Sequence, residues 1–215
     1  MTKSTDKDMF RPPLNARDVE LLVQKTGFDG YFSVQTFSLK HRLYAGGWSP
    51  PISREVFVTG DAVVVLPYDP VQDRVVLIEQ FRAGAFAHTP ESGSPWLVET
   101  VAGRIDKDET AEQVARREAE EEAGCALRQL HRIGTFYQSP GATSEQIHYF
   151  CGIVDSSQAG GIHGLASEHE DIRVFTCTRT AALAALADGR VSNVTLAFVL
   201  QWLSLNHEQL RAGAA

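Results

Sequence analysis

Cysteine is scarce in this sequence: Cys125, Cys151 and Cys177 are odd in number, far apart and form no CxxC pair. Such usage excludes a disulfide-stapled scaffold and the common zinc or dithiol motifs, and leaves three small apolar residues expected to be buried. Long apolar runs are missing as well, and no stretch approaches the roughly 20 residues needed to cross a bilayer. The opening, MTKSTDKDMFRPPL, lacks the apolar segment of a secretory signal, so a cytoplasmic location is expected. Positive charge is in short supply, with 20 Lys and Arg against 27 Asp and Glu, a net charge of −7. A nucleic-acid backbone or an anionic membrane would call for a basic face, so neither is the expected partner. No repeat, low-complexity tract or long linker interrupts the chain.

What is present is a 215-residue chain, 43% hydrophobic and 22% charged, able to bury a sizeable core. ARDVELLVQK reads as a short helix ending near Gly27 and Gly30, and two strands follow, YFSVQTFSLKHRL and SREVFVT, joined by the loop AGGWSPP. DAVVVLPYDPVQDRVVLIEQFR reads as a hairpin around a Pro/Asp turn. A polar loop, AHTPESGSP, leads to the strand WLVETVA and a Glu-rich helix. Strands are expected near Gln129 to Tyr137, Gln146 to Val154 and over IRVFTCT, with a Gly-rich loop from Gly160 to Asp171. Two helices, TAALAALA and VTLAFVLQWLSLNHEQL, close the chain on either side of DGRVSN. The pattern predicts a mixed α/β fold with a small antiparallel β subdomain over residues 1–60 and a main domain over 61–215.

The Glu-rich helix carries the chemistry. Thr110 and Gln113 form a capping-box pattern at its start. At about 100° per residue, Ala111, Val114, Ala115, Glu118, Ala119, Glu121 and Glu122 share one side, whereas Glu112, Gln113, Arg116, Arg117 and Glu120 fall outside it. An apolar stripe faces a core, so three carboxylates extend a buried face while Glu120 is solvated. Carboxylates gathered there resist joint ionisation unless divalent cations neutralise them. Oxygen-only ligands suit Mg²⁺ or Mn²⁺, and Mg²⁺ completes its shell with water and substrate phosphate. Glu118, Glu121 and Glu122 are the expected metal ligands, and a phosphate-bearing substrate is expected with them. The competing reading is a charged surface helix paired with nearby arginines.

The stretch GRIDKDETAEQVARREAEEEAGC, from Gly103 to Cys125, resembles the Nudix box. Gly103, Glu109, Arg117, Glu118, Glu121, Glu122 and Gly124 match its fixed places, and Ala119 and Cys125 hold its two aliphatic ones. The resemblance implies an α/β/α sandwich with a mixed sheet and Mg²⁺-dependent hydrolysis of a nucleoside diphosphate linked to another group. It gives Arg117 and Glu109 bracing roles. Outside the box, the chain resembles the dimeric bacterial ADP-ribose pyrophosphatases, with Pro140 in SPGATSE at the place of their downstream proline. That likeness implies hydrolysis of ADP-ribose to AMP and ribose 5-phosphate by a homodimer whose N-terminal strands are exchanged between subunits.

GIHGLASEHEDIRV resembles the loop that delivers a catalytic glutamate, with Glu168 at the matching place and Glu170 as competitor. The glycines before it allow both to swing over a substrate as a lid, where a carboxylate would orient or deprotonate water. By the same resemblance Tyr31 stacks on adenine, with core packing as the alternative, and Arg54 and Glu55 contact the nucleotide. Arg82 sits near the phosphates, or else in a surface salt bridge, and Ser139 and Glu145 address the terminal ribose. Glu99 is either structural or close to the metals, and Ala102 offers a backbone carbonyl to a metal where Gly103 permits close approach. Rival functions are hydrolysis of another nucleoside diphosphate sugar, such as GDP-mannose, and an ADP-ribose sensor without catalysis.

Overall fold

A computed structural model of the chain describes residues 10, 12–88, 93–106 and 108–213. It divides into two compact units, Met1–Thr59 with Ser139–Glu145, and Gly60–Gln138 with Gln146–Ala215.

The first unit is built on an antiparallel sheet of β1 (Val19–Asp29), β2 (Ser33–His41) and β3 (Ile52–Val58), in that order. Strand β1 corrects the helical reading of ARDVELLVQK. The capping box at Asn15, where Asp18 answers back, supports only a single 3-10 turn over Ala16–Asp18. Beyond it Val19 to Asp29 pair with β2 from His41 to Ser33, with register shifts between Leu21 and Val23 and between Thr26 and Phe28. Pairing along eleven residues outweighs the helix preference of Glu-Leu-Leu, since intrinsic propensity is a weak prior against non-local contacts. Ser139–Glu145 belongs to this unit because backbone bonds stitch it to β3: Phe57 N–H donates to Ala142 O at 2.8 Å and Ser144 N–H to Phe57 O at 3.1 Å.

The second unit is a three-layer sandwich. Among the described residues its mixed sheet holds β4 (Ala62–Asp69), β5 (Arg74–Phe81), β6 (Trp96–Glu99), β7 (Val101–Arg104), β8 (Gln129–Tyr137), β9 (Gln146–Ile153), β10 (Gly161–His163) and β11 (Ile172–Thr178). Its helices are α1 (Ala83–His88), α2 (Ala111–Ala123), α3 (Arg179–Ala187) and α4 (Val194–Ala212). Helix α1 runs into the start of the expected polar loop, of which residues 89–92 lie outside the described ones.

Strand alternation explains the layers. Val63 and Val65 of β4 and Val76 and Ile78 of β5 face one side, where Val114, Ala115, Ala119 and Ala123 of α2 cover them. Val64, Leu66 and Tyr68, with Val75 and Leu77, face the other, against Ala182 of α3 and Leu196, Val199, Leu200 and Leu203 of α4. Cys125 and Cys151 are buried as expected and Cys177 is half-buried; all three are free thiols.

A fork in this sheet positions the site. Strands β4 and β5 pair only at Tyr68 with Val75 and Asp69 with Arg74, and then part. The run read as one strand, WLVETVA, breaks at Thr100 into β6, which pairs with β5, and β7, which pairs with β4. Buried Thr100 fixes the break by donating its hydroxyl to Val65 O at 2.6 Å. The alternation pattern could not reveal this break, because both halves are apolar and each finds its own partner.

Candidate active site

Helix α2 is held at both ends by the devices visible in its sequence. Thr110 accepts from Gln113 N–H while the Gln113 side chain accepts from Thr110 N–H, and Gly124 caps the far end at φ 61°. This fixes the stripe: Glu122 is 3% exposed, Glu118 and Glu121 are half-buried and Glu120 is exposed.

The carboxylates meet β7 at the fork. Ala102 N–H donates to Glu122 Oε2 at 2.9 Å. Glu118 lies flat on Gly103, where any added Cβ would collide with its carboxylate, so only glycine leaves this cradle open. Burial pushes Glu118 up to about 7, with Glu121 and Glu170 adding to the rise and Arg117 opposing it. Burial pushes Glu122 up to about 8, with Glu118 and Glu170 adding and Ala102 N–H and Arg82 opposing.

Arg117 answers part of this charge. It makes a two-pronged pair with Glu109, Nε to Oε1 and Nη2 to Oε2 both at 3.0 Å. Its Nη1 donates to Glu118 Oε1 and Glu121 Oε2, each at 2.9 Å. Among the described residues no group of three or more His, Cys, Asp or Glu side chains is arranged to hold a metal ion. Glu121 is turned to Arg117 on the more open flank, whereas Glu118 and Glu122 share the backbone of Ala102 and Gly103. The donor set nonetheless suits a hard divalent cation: two carboxylates, one half-buried and one buried, whose ionisation burial opposes, beside a wall without a Cβ.

Across the fork, Arg82 is held by Glu99, with Nε at 2.9 Å and Nη2 at 2.8 Å from Oε2. Glu99 is 4% exposed and also accepts from Asn193 Nδ2 at 2.7 Å. The salt-bridge alternative for Arg82 is therefore present, but with a buried partner. Burial works against the Arg82 charge; the bonds to Glu99 and the charges of Glu99, Glu122 and Glu170 outweigh it and raise its pKa. Asn193 escaped sequence reasoning. Its place before VTLAF marks it as a helix cap, and it does accept from Leu196 N–H at 3.0 Å, but nothing local announces the second bond to Glu99.

The expected lid is partly tied down. Gly161–His163 form β10, paired with β11, so the untethered part shrinks to the turn from Leu165 to Glu170. Glu168 is exposed on a 3-10 turn, Ala166–Glu168. Glu170 is half-buried, accepts from Leu165 N–H at 3.0 Å, and its charge reaches Glu118, Glu122 and Arg82.

The remaining candidates sit in the first unit. Tyr31 is 78% exposed and packs edge-on against Phe32 at 4.7 Å, which removes the core-packing alternative. Arg54 and Glu55 are consecutive exposed residues of β3, opposite Phe37 and Thr36, and so point to opposite faces. Ser139 anchors a turn, accepting from Ala142 and Thr143 N–H at 2.9 Å each, and half-buried Glu145 donates its N–H to Thr143 Oγ1 at 3.2 Å.

The profile of the NUDIX domain matches residues 58–197. A Haemophilus influenzae protein named ADP-ribose pyrophosphatase is 44% identical over 195 residues, covering 91% of this chain and 90% of that relative. An Escherichia coli O1:K1 protein named GDP-mannose pyrophosphatase is 32% identical over 193 residues, covering 89% of this chain and 97% of the relative. A crystal structure of an ADP compounds hydrolase superposes with a TM-score of 0.66 at 21% identity, covering 90% of this chain and 97% of the other, a likeness of fold.

Proposed function

The chain belongs to the NUDIX family, and on that premise we propose that it hydrolyses the pyrophosphate of ADP-ribose to AMP and ribose 5-phosphate. The observation that carries the reading is the pair of carboxylates, half-buried Glu118 and buried Glu122, laid against Ala102 and Gly103. Members of this family generally use divalent metal ions. Here Glu118, Glu121, Glu122 and the Ala102 carbonyl would hold Mg²⁺, with Mn²⁺ as a substitute. The bound ion supplies charge neutralisation and a more acidic water.

The chain's own groups do the rest. Arg82, oriented by Glu99, presents a planar fork to the phosphate oxygens. Glu168, exposed on its 3-10 turn, accepts a proton from the attacking water, with Glu170 as the competitor for that role and as a source of negative charge beside Glu118 and Glu122. Water oxygen joins one phosphorus as the bridging P–O bond to that phosphorus breaks, and the bridging oxygen leaves on the other phosphate. Tyr31 stacks on the base, Glu55 and Arg54 bind the nucleotide from opposite faces of β3, Arg54 in the partner subunit's site, and Ser139 and Glu145 bind the terminal ribose.

Incubation with ADP-ribose or GDP-mannose, with Mg²⁺ and with chelator, tests the reading by product analysis. Metal-dependent AMP from ADP-ribose, lost in Glu122→Gln, is the expected result. Preferred turnover of GDP-mannose would move the assignment to that sugar nucleotide, and binding of ADP-ribose without turnover would favour the sensor.

We further propose a homodimer formed through the N-terminal sheet and working in the cytoplasm. Every residue of β1 is exposed, including Val19, Leu21, Leu22, Val23 and Phe28, a larger apolar display than one unit leaves to water without a partner. No described helix is long and apolar enough to cross a membrane. Light scattering of the purified chain checks the oligomeric state; a monomer at micromolar concentration would refute it.

A further inference from the structure

We infer that His163 is a positioning residue, which sets the Leu165–Glu170 turn against the end of α2. The inference rests on the reading above, in which that turn supplies a carboxylate to the reaction.

The His163 ring lies on the bare Cα of Gly124, the left-handed cap of α2 at φ 61°. A Cβ on Gly124 would come within 2.6 Å of the ring's Cε1 and 3.3 Å of Nδ1. The ring is fixed from its other end by Nε2, 2.9 Å from Gly160 O. A carbonyl only accepts, so Nε2 carries the proton in this bond. The next residue completes the attachment, since Gly164 N–H donates to Glu121 O at 3.2 Å and satisfies one of the last carbonyls of α2.

From that anchor the chain turns through Gly164 at φ 99°, with Glu170 packed so closely that a Cβ on Gly164 would lie 2.7 Å from the Glu170 Cβ. Two bonds close the base of the turn: Leu165 N–H to Glu170 Oε2 at 3.0 Å and Glu170 N–H to Leu165 O at 3.2 Å. After Glu170 the chain enters β11, which pairs with β5. Both ends of the turn are thus registered on the sheet, His163 opposite Ile172 in the β10–β11 pair, and the His163 end is fixed in addition to the helix that carries Glu118, Glu121 and Glu122. His163 and Gly164 hold the helix end. The requirement for glycine at 124 has a second cause here beyond its backbone angle, because the ring occupies the space of a side chain.

The test uses the full chain with ADP-ribose and Mg²⁺. His163→Ala is expected to lower kcat roughly tenfold or more, as small misplacements of reacting groups do, with KM within about twofold. Metal affinity measured by calorimetry should be unchanged. His163→Gln, whose amide N–H reaches toward Gly160 O, should recover most of kcat. Gly124→Ala, strained by its left-handed angle in either background, should lower kcat more in the native chain than beside His163→Ala. Amide exchange at Leu165 and Glu170 should rise roughly tenfold in His163→Ala, a readout independent of turnover. Failure of the native protein to cleave ADP-ribose would sink the functional reading while leaving this exchange result to judge the anchor. Unchanged exchange in His163→Ala, kcat within twofold of native, or independent effects of the two substitutions would overturn the inference.

Discussion

Replacing Glu122 by Gln should stabilise the metal-free protein while removing its activity. Burial holds the Glu122 carboxyl at about 8 instead of the usual 4.5. Between those values the folded chain keeps a proton that the unfolded chain has released, so stability falls as pH rises, by about 1.4 kcal/mol per pH unit for this group alone. Below about pH 4.5 both states hold the proton and the cost vanishes; above about 8 it is complete. Glu118, raised to about 7, shares the same pocket, so the two titrate as a pair and the slope of one is shared with the other. Allowing for that sharing, Glu122→Gln should be more stable than the native chain by about 2–4 kcal/mol at pH 8 in chelator and nearly equal to it at pH 5. For a chain of this length that is roughly 4–16 °C in Tm. The glutamine oxygen still accepts from Ala102 N–H, so the packing is kept. Thermal melts from pH 5 to 8 in EDTA measure the effect, and addition of Mg²⁺ should raise the Tm of the native chain alone, by an amount set by its occupancy. A difference that does not grow with pH, or a less stable variant at pH 8, would refute the burial argument.

Three further outcomes follow from the same geometry. Gly103→Ala should abolish metal activation with little loss of fold, because its Cβ displaces the Glu118 carboxylate; calorimetric titration with Mn²⁺ checks it. Arg117→Ala leaves Glu118 and Glu121 without their shared Nη1 and should cost about 1–2 kcal/mol in urea unfolding at low ionic strength, less in salt. Asn193→Ala removes both the cap of α4 and a bond to buried Glu99, and should cost about 1–2 kcal/mol by the same measurement while raising the KM for ADP-ribose.

Helix α2 was legible because its information is local: a capping box, a glycine stop and a stripe counted at 100° per residue place Glu122 inside and Glu120 outside without any knowledge of the sheet. The β4–β5 hairpin was legible for the same reason. Strand β1 was not, since the apolar positions of VELLV suit either period and the decision lies with β2, which the segment cannot announce. The break at Thr100 was hidden because it depends on two strands diverging elsewhere in the chain. Site residues divide likewise: the α2 glutamates follow from helix geometry, whereas Asn193 and His163 act across tertiary contacts that leave no sequence spacing to read.

The break at Thr100 separates two jobs along nine consecutive residues. Upstream of it, Glu99 answers to Arg82 and to the cap of α4; downstream, Ala102 and Gly103 answer to α2. Each half takes its register from a different neighbour, so substitutions on the Arg82 side can drift without moving the wall on which Glu118 and Glu122 rest. Such a layout makes the arginine clamp and the carboxylate wall separately adjustable parts of one short run of chain.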